Sequence, residues 1–320
     1  DDLNEIKRLS RLATSRSNTF LRLSDLALTD MAVPVGNKIF AIGAGQAMQA
    51  TVYTGDVTPP SLVLFNLNLT SERLVLSFSE TVQVSTLSVA GITLQSVSSG
   101  PGTTRYSLTG GSAVNADATY VEISMSTGDL NALKKIRGLA DGTSDTFIVL
   151  SSSTIKDMNN NSVVAIGSGA GQGVNVYGED LTAPRLVGFD LSLDGLSLLR
   201  MTFDETMMTS TLVPSAITLQ NGATGGIRYT LNGGNFSVSA GDDGTVLLLT
   251  LSKADLDNIK RDTGLATNRS NTYLTITSQC AKDMNGNAVV AVGDGRAPGQ
   301  CDRANGVLDD ECTFFLSHRL

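Results

Sequence analysis

The sequence has no tryptophan, only 5% aromatic residues, three cysteines and a single histidine among its 320 residues. That histidine, His318, lies two residues from the end and is the only base available for a histidine-centred hydrolytic triad. Three scattered cysteines and one histidine do not have the spacing of zinc ligands, and no glycine-rich phosphate loop opens a helix after a strand. We therefore expect no catalytic residue, no cofactor and no dedicated metal site, and an enzyme is the weakest hypothesis.

Basic residues are also in the minority, with 23 Lys and Arg against 31 Asp and Glu, for a net charge of −8. Without a basic cluster the chain lacks the main electrostatic term for binding nucleic acid. No apolar run approaches the roughly 18 residues needed to cross a bilayer, and no leader-like segment opens the sequence. We expect either that a signal peptide has been removed or that these residues belong to a longer protein. Thirty-two glycines and abundant Ser and Thr favour a turn-rich, exported β protein.

The most informative feature present is a repeat of about 126 residues. A segment that begins at Asp2 as DLNEIKRLSRLATSRSNTFLRL recurs from Asp129 and from Asp255, and an Asp-Met pair follows each time at the same distance. The upstream half of the unit occurs only twice, from Ser61 and from Arg185. The expected domains are an incomplete one at 1–57 containing only the second half, a complete one at 58–182, and a third at 183–320 with a cysteine-containing C-terminal extension.

Short alternating or β-branched runs bounded by Gly, Asn, Ser and Asp dominate each repeat. About seven such runs per unit predict an antiparallel β-sandwich. One short helix interrupts them, because Ser126 and Ser252 each place a hydroxyl N-cap three residues before a carboxylate. In the following strand Leu274 and Ile276 alternate with polar or aromatic neighbours, so one face must pack on a second sheet.

Two motifs recur in register, Asp-x-Thr-x-Pro from Asp56 and Asp180 and Phe-Ser/Asp-Glu ending at Glu80 and Glu205, and a third, Asp-Met-Asn-Gly-Asn, begins at Asp283. Together they resemble the bacterial-type immunoglobulin-like tandem repeats of extracellular surface proteins such as S-layer proteins and adhesins. The resemblance implies an all-β fold of tandem immunoglobulin-like sandwiches at the cell surface, and it implies no activity. Because the two glutamates repeat with the unit, we interpret them as architectural rather than catalytic.

The first copy departs from this pattern, since the residues after Asp30 lack the Asn-rich turn. It nevertheless keeps core-type residues, because Leu21 and Leu23 occupy the positions of Leu274 and Ile276, and Ile39 lies in a run that matches VVAIG. A half sandwich would expose an apolar face and an unpaired strand edge. We expect another polypeptide to cover it; the alternative is that the chain extends upstream.

The C-terminal extension contains a strand-like run with Phe314 and Phe315. This run is a candidate strand donor to the incomplete copy of a neighbour. The alternative is that it forms the last strand of its own sandwich.

Covalent features are expected in two places. Cys280, Cys301 and Cys312 predict one disulfide that ties down the extension, with the pairing open and one thiol left over. Four Asn-x-Ser/Thr sequons predict covalent glycans on an exported chain, at Asn68, Asn160, Asn235 and Asn268.

Alternating oxygen-bearing side chains near the end of each complete copy resemble the start of a calcium loop. They are Asp157, Asn159, Asn161, Asp283, Asn285 and Asn287. The downstream bidentate Glu of an EF-hand is absent, and Asn-Gly is itself a turn signal, so a hairpin turn is the favoured interpretation and calcium the alternative.

These features favour a structural subunit of an extracellular filament or stalk. Its partner would be a second copy of itself, joined head to tail through the incomplete first domain. The alternative is a cell-surface adhesin or carbohydrate-binding module in which the repeats serve as spacers.

Overall fold

The computed structural model describes residues 1–233 and 243–296, which are mostly β. Three short helices occur in this part of the chain, α1 (Asp2–Arg8), α2 (Thr127–Lys135) and α3 (Lys253–Arg261). None of the helices in the described ranges is long and apolar enough to cross a membrane. The expectation of an all-β protein with antiparallel sheets and short helices is confirmed.

The chain forms two compact units. Unit 1 comprises Asp1–Leu67, Glu72–Ser126 and Gly142–Tyr177, and unit 2 comprises Asn68–Ser71, Thr127–Asp141 and the described chain from Gly178. The helix α1 therefore belongs to unit 1, whereas α2 belongs to unit 2. α1 and α2 are thus grouped with the strands of the repeat that follows each of them, whereas α3 is grouped with the strands of its own repeat. The three expected domain ranges stay a prediction.

The first copy contributes a two-stranded antiparallel sheet of β1 (Phe20–Leu21) and β2 (Met48–Gln49). Leu21 pairs with Met48, and a further antiparallel bridge joins Leu23 to Ile42. The segment is therefore folded, with only a short ladder.

Ten strands follow between Leu62 and Gly178. They are β3 (Leu62–Asn68), β4 (Arg73–Gln83), β5 (Ile92–Gln95), β6 (Arg105–Ser107), β7 (Gly111–Ala113), β8 (Ala118–Met125), β9 (Phe147–Leu150), β10 (Lys156–Asp157), β11 (Gln172–Gly173) and β12 (Val176–Gly178). One sheet has the order β12-β3-β4-β8-β7, with β10 also paired to β4, and the other has the order β11-β9-β5-β6. Hence β9 is an interior strand, with β5 on one side and β11 on the other.

Unit 2 contains a second pair of sheets. Its strands are β13 (Leu186–Leu191), β14 (Leu198–Met208), β15 (Ile217–Gln220), β16 (Arg228–Thr230), β17 (Gly244–Thr250), β18 (Tyr273–Ile276) and β19 (Lys282–Asp283). The first sheet has the order β13-β14-β17 with β19 paired to β14, and the second has the order β16-β15-β18. Phe189 and Met201 of one sheet and Leu219 and Leu274 of the other belong to a single buried core, which stabilises the unit through burial of apolar surface.

Strand alternation follows the sequence pattern where the strands are regular. Ile148 and Leu150 in β9, like Leu274 and Ile276 in β18, are buried, and their neighbours are partly exposed. A side chain on every second residue points to the same face of a strand. The expectation of one apolar face in these strands is confirmed.

The alternation breaks in β4 and in β14, where three consecutive residues are buried, Glu80–Val82 and Glu205–Met207. The pairing register shifts at the same points, between Ser77 and Val82 and between Thr202 and Met207. Such a bulge turns an extra side chain inward and leaves backbone groups outside the ladder. It therefore places a glutamate and the following threonine in each unit where another element can bind them.

The predicted N-cap is present at α3. The Ser252 hydroxyl oxygen accepts a hydrogen bond from the Asp255 backbone N–H at 3.0 Å, and the same hydroxyl donates to the Asp255 carboxylate at 2.8 Å. Tyr229 donates its phenolic hydrogen to the other Asp255 oxygen at 2.8 Å. A cap of this kind satisfies free N–H groups in the first helical turn, so the start of α3 is held to the underlying sheet.

Candidate assembly site

In unit 1 the helix α1 binds the bulge of β4 through a lysine. The Lys7 ammonium group lies 2.6 Å from an oxygen of Asp56 and 2.6 Å from an oxygen of Glu80. We call Asp56, Glu80 and Thr81 acceptor site 1. A single cation is thus held between two carboxylates, the charge-assisted arrangement that gives strong hydrogen bonds.

A second residue of α1 binds the bulge backbone. The Thr81 N–H donates to the Asn4 side-chain oxygen at 3.1 Å, and the Thr81 hydroxyl donates to the Asn4 carbonyl oxygen at 2.9 Å. The register shift in β4 is what leaves the Thr81 N–H available. The bulge of β4 therefore binds the helix at two residues, through an ion pair with Lys7 and through hydrogen bonds with Asn4.

Unit 2 contains the same arrangement between α2 and β14. The Lys134 ammonium group lies 2.7 Å from Asp180 and 2.6 Å from Glu205. The Thr206 N–H and hydroxyl donate to the side-chain and backbone oxygens of Asn131, each at 2.9 Å. We call Asp180, Glu205 and Thr206 acceptor site 2. Two independent occurrences indicate that helix binding is a property of the repeat.

The two sites differ in how far water is excluded. The side chains of Lys134 and Asp180 are 8% and 0% exposed, whereas those of Lys7 and Asp56 are 17% and 18% exposed. The two glutamates are equally buried, with Glu80 at 8% and Glu205 at 9%. Removing charges from water is costly unless they are well paired. Acceptor site 2 therefore depends more strongly on its lysine than acceptor site 1 does.

The titration of these groups reflects burial opposed by pairing. Burial acts to lower the pKa of Lys134, but its hydrogen bonds to Asp180 and Glu205 outweigh this and raise the pKa above its ordinary value. Burial raises the pKa of Glu205 to about 7, against the opposing effect of Lys134 and with a further contribution from the charges of Asp180 and Asp283. One ammonium group thus faces three carboxylates, and the excess negative charge favours a retained proton.

The third carboxylate at each site comes from the Asn-rich turn. Asp283 accepts hydrogen bonds from the backbone N–H groups of Asn285 and Asn287 and from the Asn287 side-chain amide. That amide also donates to the Asp180 carbonyl oxygen at 2.9 Å, and Gly286 has a positive φ of 89°, as a tight turn requires. The turn is therefore hydrogen-bonded to the backbone of Asp180, the first residue of the Asp-x-Thr-x-Pro segment. In unit 1 the Asn161 side-chain amide makes the equivalent hydrogen bonds to the Asp56 carbonyl oxygen and to the Asp157 carboxylate.

The carboxylates grouped closely enough to hold a metal ion include Asp157 and Asp283 of the calcium alternative, together with carboxylates that this sequence pattern did not name. Among the described residues they are Asp56 with Glu80 and Asp157, and Asp180 with Glu205 and Asp283. In each group a lysine ammonium already contacts two of the three carboxylates. The calcium alternative stays a prediction.

The first copy retains the turn contact by another route. Asp30 accepts hydrogen bonds from the backbone N–H and side-chain amide of Asn37 at 2.7 and 2.9 Å. Asn37 thus does for Asp30 what Asn161 does for Asp157, with three more residues in between. These hydrogen bonds lower the pKa of Asp30. The sequence expectation that this copy lacks the Asn-rich turn holds for the local motif but misses the contact, because Asn37 lies too far along the chain for the motif to include it.

The strand of the first copy has an open side. In unit 1, Ile148 of β9 pairs with Gln172 on one side and with Leu94 of β5 on the other. The corresponding residue Leu21 pairs with Met48, and within the described ranges β1 belongs to a sheet of two strands. Leu21 is 55% exposed, whereas Ile148 and Leu274 at the equivalent positions are fully buried.

A groove lies beside this strand. It has a volume of about 390 Å³, and its lining includes Leu23, Ala41 and Ile42. Leu23 and Ile39 are half-buried, and Phe20 and Met48 are 51% and 59% exposed. Of the apolar residues named from the sequence, Leu23 lines this groove, and Leu21 and Ile39 lie on the same folded segment. Their proposed partners Phe314 and Phe315 lie outside the described residues.

The residues predicted to carry glycans or to form the disulfide lie partly inside and partly outside the described residues. Asn68, Asn160 and Asn268 are exposed, as a glycan requires, and Asn235 lies outside the described residues. Cys280 is a free thiol and fully buried, and burial raises its pKa to about 12. Cys301 and Cys312 lie outside the described ranges. Glycosylation and the disulfide stay predictions.

Sequence reasoning missed the lysines of both sites. Lys7 and Lys134 occupy the sixth position of the repeated DLN segment, and Glu80 and Glu205 were singled out only as repeated residues. The recurrence of lysine and glutamate with the same unit was the available signal. It did not identify the contact, because the paired residues are 73 and 71 positions apart.

Comparison with known proteins gives no family for this chain. No protein-family profile matches the sequence, and no curated protein matches it significantly.

Proposed function

We propose that this protein is a structural subunit of an extracellular filament or stalk, built from tandem immunoglobulin-like sandwiches and joined head to tail. In this proposal a neighbouring subunit completes the partial first copy. The observation that carries it is the exposure of Leu21 at 55%, at a repeat position where Ile148 and Leu274 are fully buried.

The open strand supports a specific mode of completion. The side of β1 that corresponds to the β5-paired side of β9 accepts an added strand, whose backbone would continue the ladder and whose side chains would cover Leu21 and Leu23. Covering each large apolar side chain contributes roughly 1–2 kcal/mol. A contact between unlike surfaces of identical subunits propagates unless it closes into a ring.

The donor segment we propose is the C-terminal run that contains Phe314 and Phe315. Its short apolar run, Phe314 to Leu316 after Thr313, fits an added strand. The helix contacts at the two acceptor sites support a structural role for the repeat, because each ion pair joins the helix of one repeat to the strands of the next repeat.

Sedimentation velocity over a range of concentrations, with negative-stain imaging, tests the proposal on the full chain. We expect concentration-dependent association that Leu21→Arg weakens at least about tenfold, because the change places a charge on a surface to be buried. Val63→Arg is the matched control, since Val63 is 57% exposed on β3 and should associate as the unchanged protein does. A protein that stays monomeric throughout, or equal loss in both variants, overturns the proposal.

A Phe314→Arg and Phe315→Arg double variant tests the donor. Loss of association supports the C-terminal run as the added strand. Unchanged association overturns that assignment and leaves another segment of the neighbour to fill the groove.

A further inference from the structure

The helix α3 has the lysine of α1 and α2 and an aspartate in place of their asparagine, but no acceptor site holds it among the described residues. Lys260 stands at the repeat position of Lys7 and Lys134. Those two lysines are 17% and 8% exposed, whereas Lys260 is exposed, and no ion pair of its side chain is formed within residues 1–233 and 243–296.

The second recognition residue is present in an equivalent form. Asp257 occupies the position of Asn4 and Asn131, whose side-chain oxygens accept the threonine N–H of an acceptor site. A carboxylate oxygen accepts the same hydrogen bond. Asp257 is itself 60% exposed, and its one ion pair within residues 1–233 and 243–296 is with the exposed Lys253 one helical turn away, a pair that contributes little to stability.

The position of α3 is set before any partner arrives. Its N-terminus is held by the Ser252 and Asp255 cap and by Tyr229, and Ile259 is fully buried against the core of unit 2. A surface held in its binding conformation loses less conformational freedom on association. The exposed Asp257 and Lys260 are thus presented on a fixed helix.

We infer that α3 docks on the acceptor site of a further sandwich of this same repeat. The occupant is defined by its chemistry: an Asp and a Glu that share the Lys260 ammonium group, and a bulged Thr whose N–H and hydroxyl bind the residue at Asp257. The two acceptor sites of one chain are filled by α1 and α2, so the acceptor comes from a repeat beyond these. This interface goes beyond completion of the first copy and does not depend on it.

Charge complementarity supports this occupant. The last turn of α3 carries Lys260 and Arg261, whereas each acceptor site offers three clustered carboxylates to a single ammonium group. The same pairing holds α1 and α2 in place, at 2.6–2.7 Å in all four lysine contacts.

Zero-length carbodiimide cross-linking tests the inference, because it joins a lysine to a carboxylate only when the two are in contact. The probe is the full chain carrying Leu21→Arg, which weakens association through the first copy, mixed with the same chain lacking residues 1–8, which frees acceptor site 1. Peptide mapping should find Lys260 linked to Asp56 or Glu80 between molecules. The Lys134 link to Glu205 within one molecule is the internal control for the reaction.

Matched variants separate docking from chance collision. Lys260→Glu should reduce intermolecular cross-linking to acceptor site 1 at least about tenfold, since it replaces attraction by repulsion, and adding Glu80→Lys on the receiving chain should restore association by sedimentation. Lys253→Glu, on the same helix but outside the repeated positions, should leave cross-linking unchanged.

A second receiving chain covers the case in which removal of residues 1–8 prevents folding. Lys7→Glu in the full-length chain repels α1 from Asp56 and Glu80 and frees the same site. If neither receiving chain links to Lys260 while the Lys134 control link forms, or if Lys253 links as often as Lys260, the inference is wrong. These readouts are independent of the Leu21 experiment, so the two proposals can fail separately.

Discussion

Replacing Lys134 with methionine should destabilise unit 2 strongly. Methionine keeps the aliphatic stem and a similar helix propensity, so the change removes mainly the ammonium group. Three carboxylates would then remain with no cation, and Asp180 and Glu205 are 0% and 9% exposed. Leaving one side of a buried ion pair without its partner costs about 3–5 kcal/mol, a large part of the stability of a domain.

The magnitude should depend on burial and on pH. Lys7→Met removes the same contact at a wetter site, where Lys7 and Asp56 are 17% and 18% exposed, and should cost about 1–2 kcal/mol, between the buried and surface limits. The stability lost in Lys134→Met should become smaller as the pH falls from about 8 to about 5, because protonation of Glu205, whose pKa is raised to about 7, removes one uncompensated negative charge.

Urea titration followed by hydrogen exchange measures these effects in each unit separately, with β14 peptides for Lys134→Met and β4 peptides for Lys7→Met, since two compact units need not unfold together. Lys260→Met is the matched control, because it makes the same change at the same repeat position on an exposed surface, and should alter the free energy of unfolding by less than about 0.5 kcal/mol. If Lys134→Met behaves like Lys260→Met, or if its effect is independent of pH, the ion-pair account of the acceptor site fails.

Three further outcomes are expected. The pKa of Glu205 is raised to about 7 from 4.5, so the folded protein holds a proton that the unfolded chain releases, and the free energy of unfolding should fall as pH rises from about 4.5 to about 7. Glu205→Gln should remove on the order of 2 kcal/mol of this pH dependence. A variant with an unchanged pH profile would contradict the assignment to Glu205. Gly91→Ala should destabilise unit 1 by about 1–3 kcal/mol, because a Cβ there would meet the Thr154 hydroxyl. Adding Thr154→Cys, which reproduces the Ala216 and Cys280 pair of unit 2, should recover part of this loss when stability is measured by chemical denaturation. Fully additive effects of the two substitutions on the free energy of unfolding would argue against a direct clash. In the reduced, folded protein Cys280 should resist iodoacetamide at about pH 8, since burial raises its pKa to about 12; rapid alkylation seen by mass spectrometry would show that the core opens.

Local patterns predicted the regular parts of this fold well. Period-2 alternation predicted the buried face of β9 and β18, and the serine and aspartate spacing predicted the cap of α3. Both depend on residues within a few positions of one another, which is the range over which strand and helix geometry impose a pattern. The same alternation fails at Glu80–Val82 and Glu205–Met207, because a bulge interrupts the period without a distinctive local sequence.

The sequence identified only some of the residues of the acceptor sites. The repeated glutamates and the Asp-x-Thr-x-Pro aspartates were recognised as parts of the unit, and the structure adds the lysine that each glutamate contacts. Neither their partners nor the equivalence of Asn37 and Asn161 was apparent. In both cases the spacing between partners is set by the surrounding fold rather than by a motif.

The repeat length, the β character and the short capped helices can all be read from the order of residues, because each is a statement about neighbours along the chain. The grouping of α1 and α2 with the strands of the following repeat, and the sharing of each helix's lysine by two carboxylates, cannot. Those contacts join residues more than seventy positions apart, and which ionised groups meet across such a distance is decided only when packing has brought the elements together and removed the water between them.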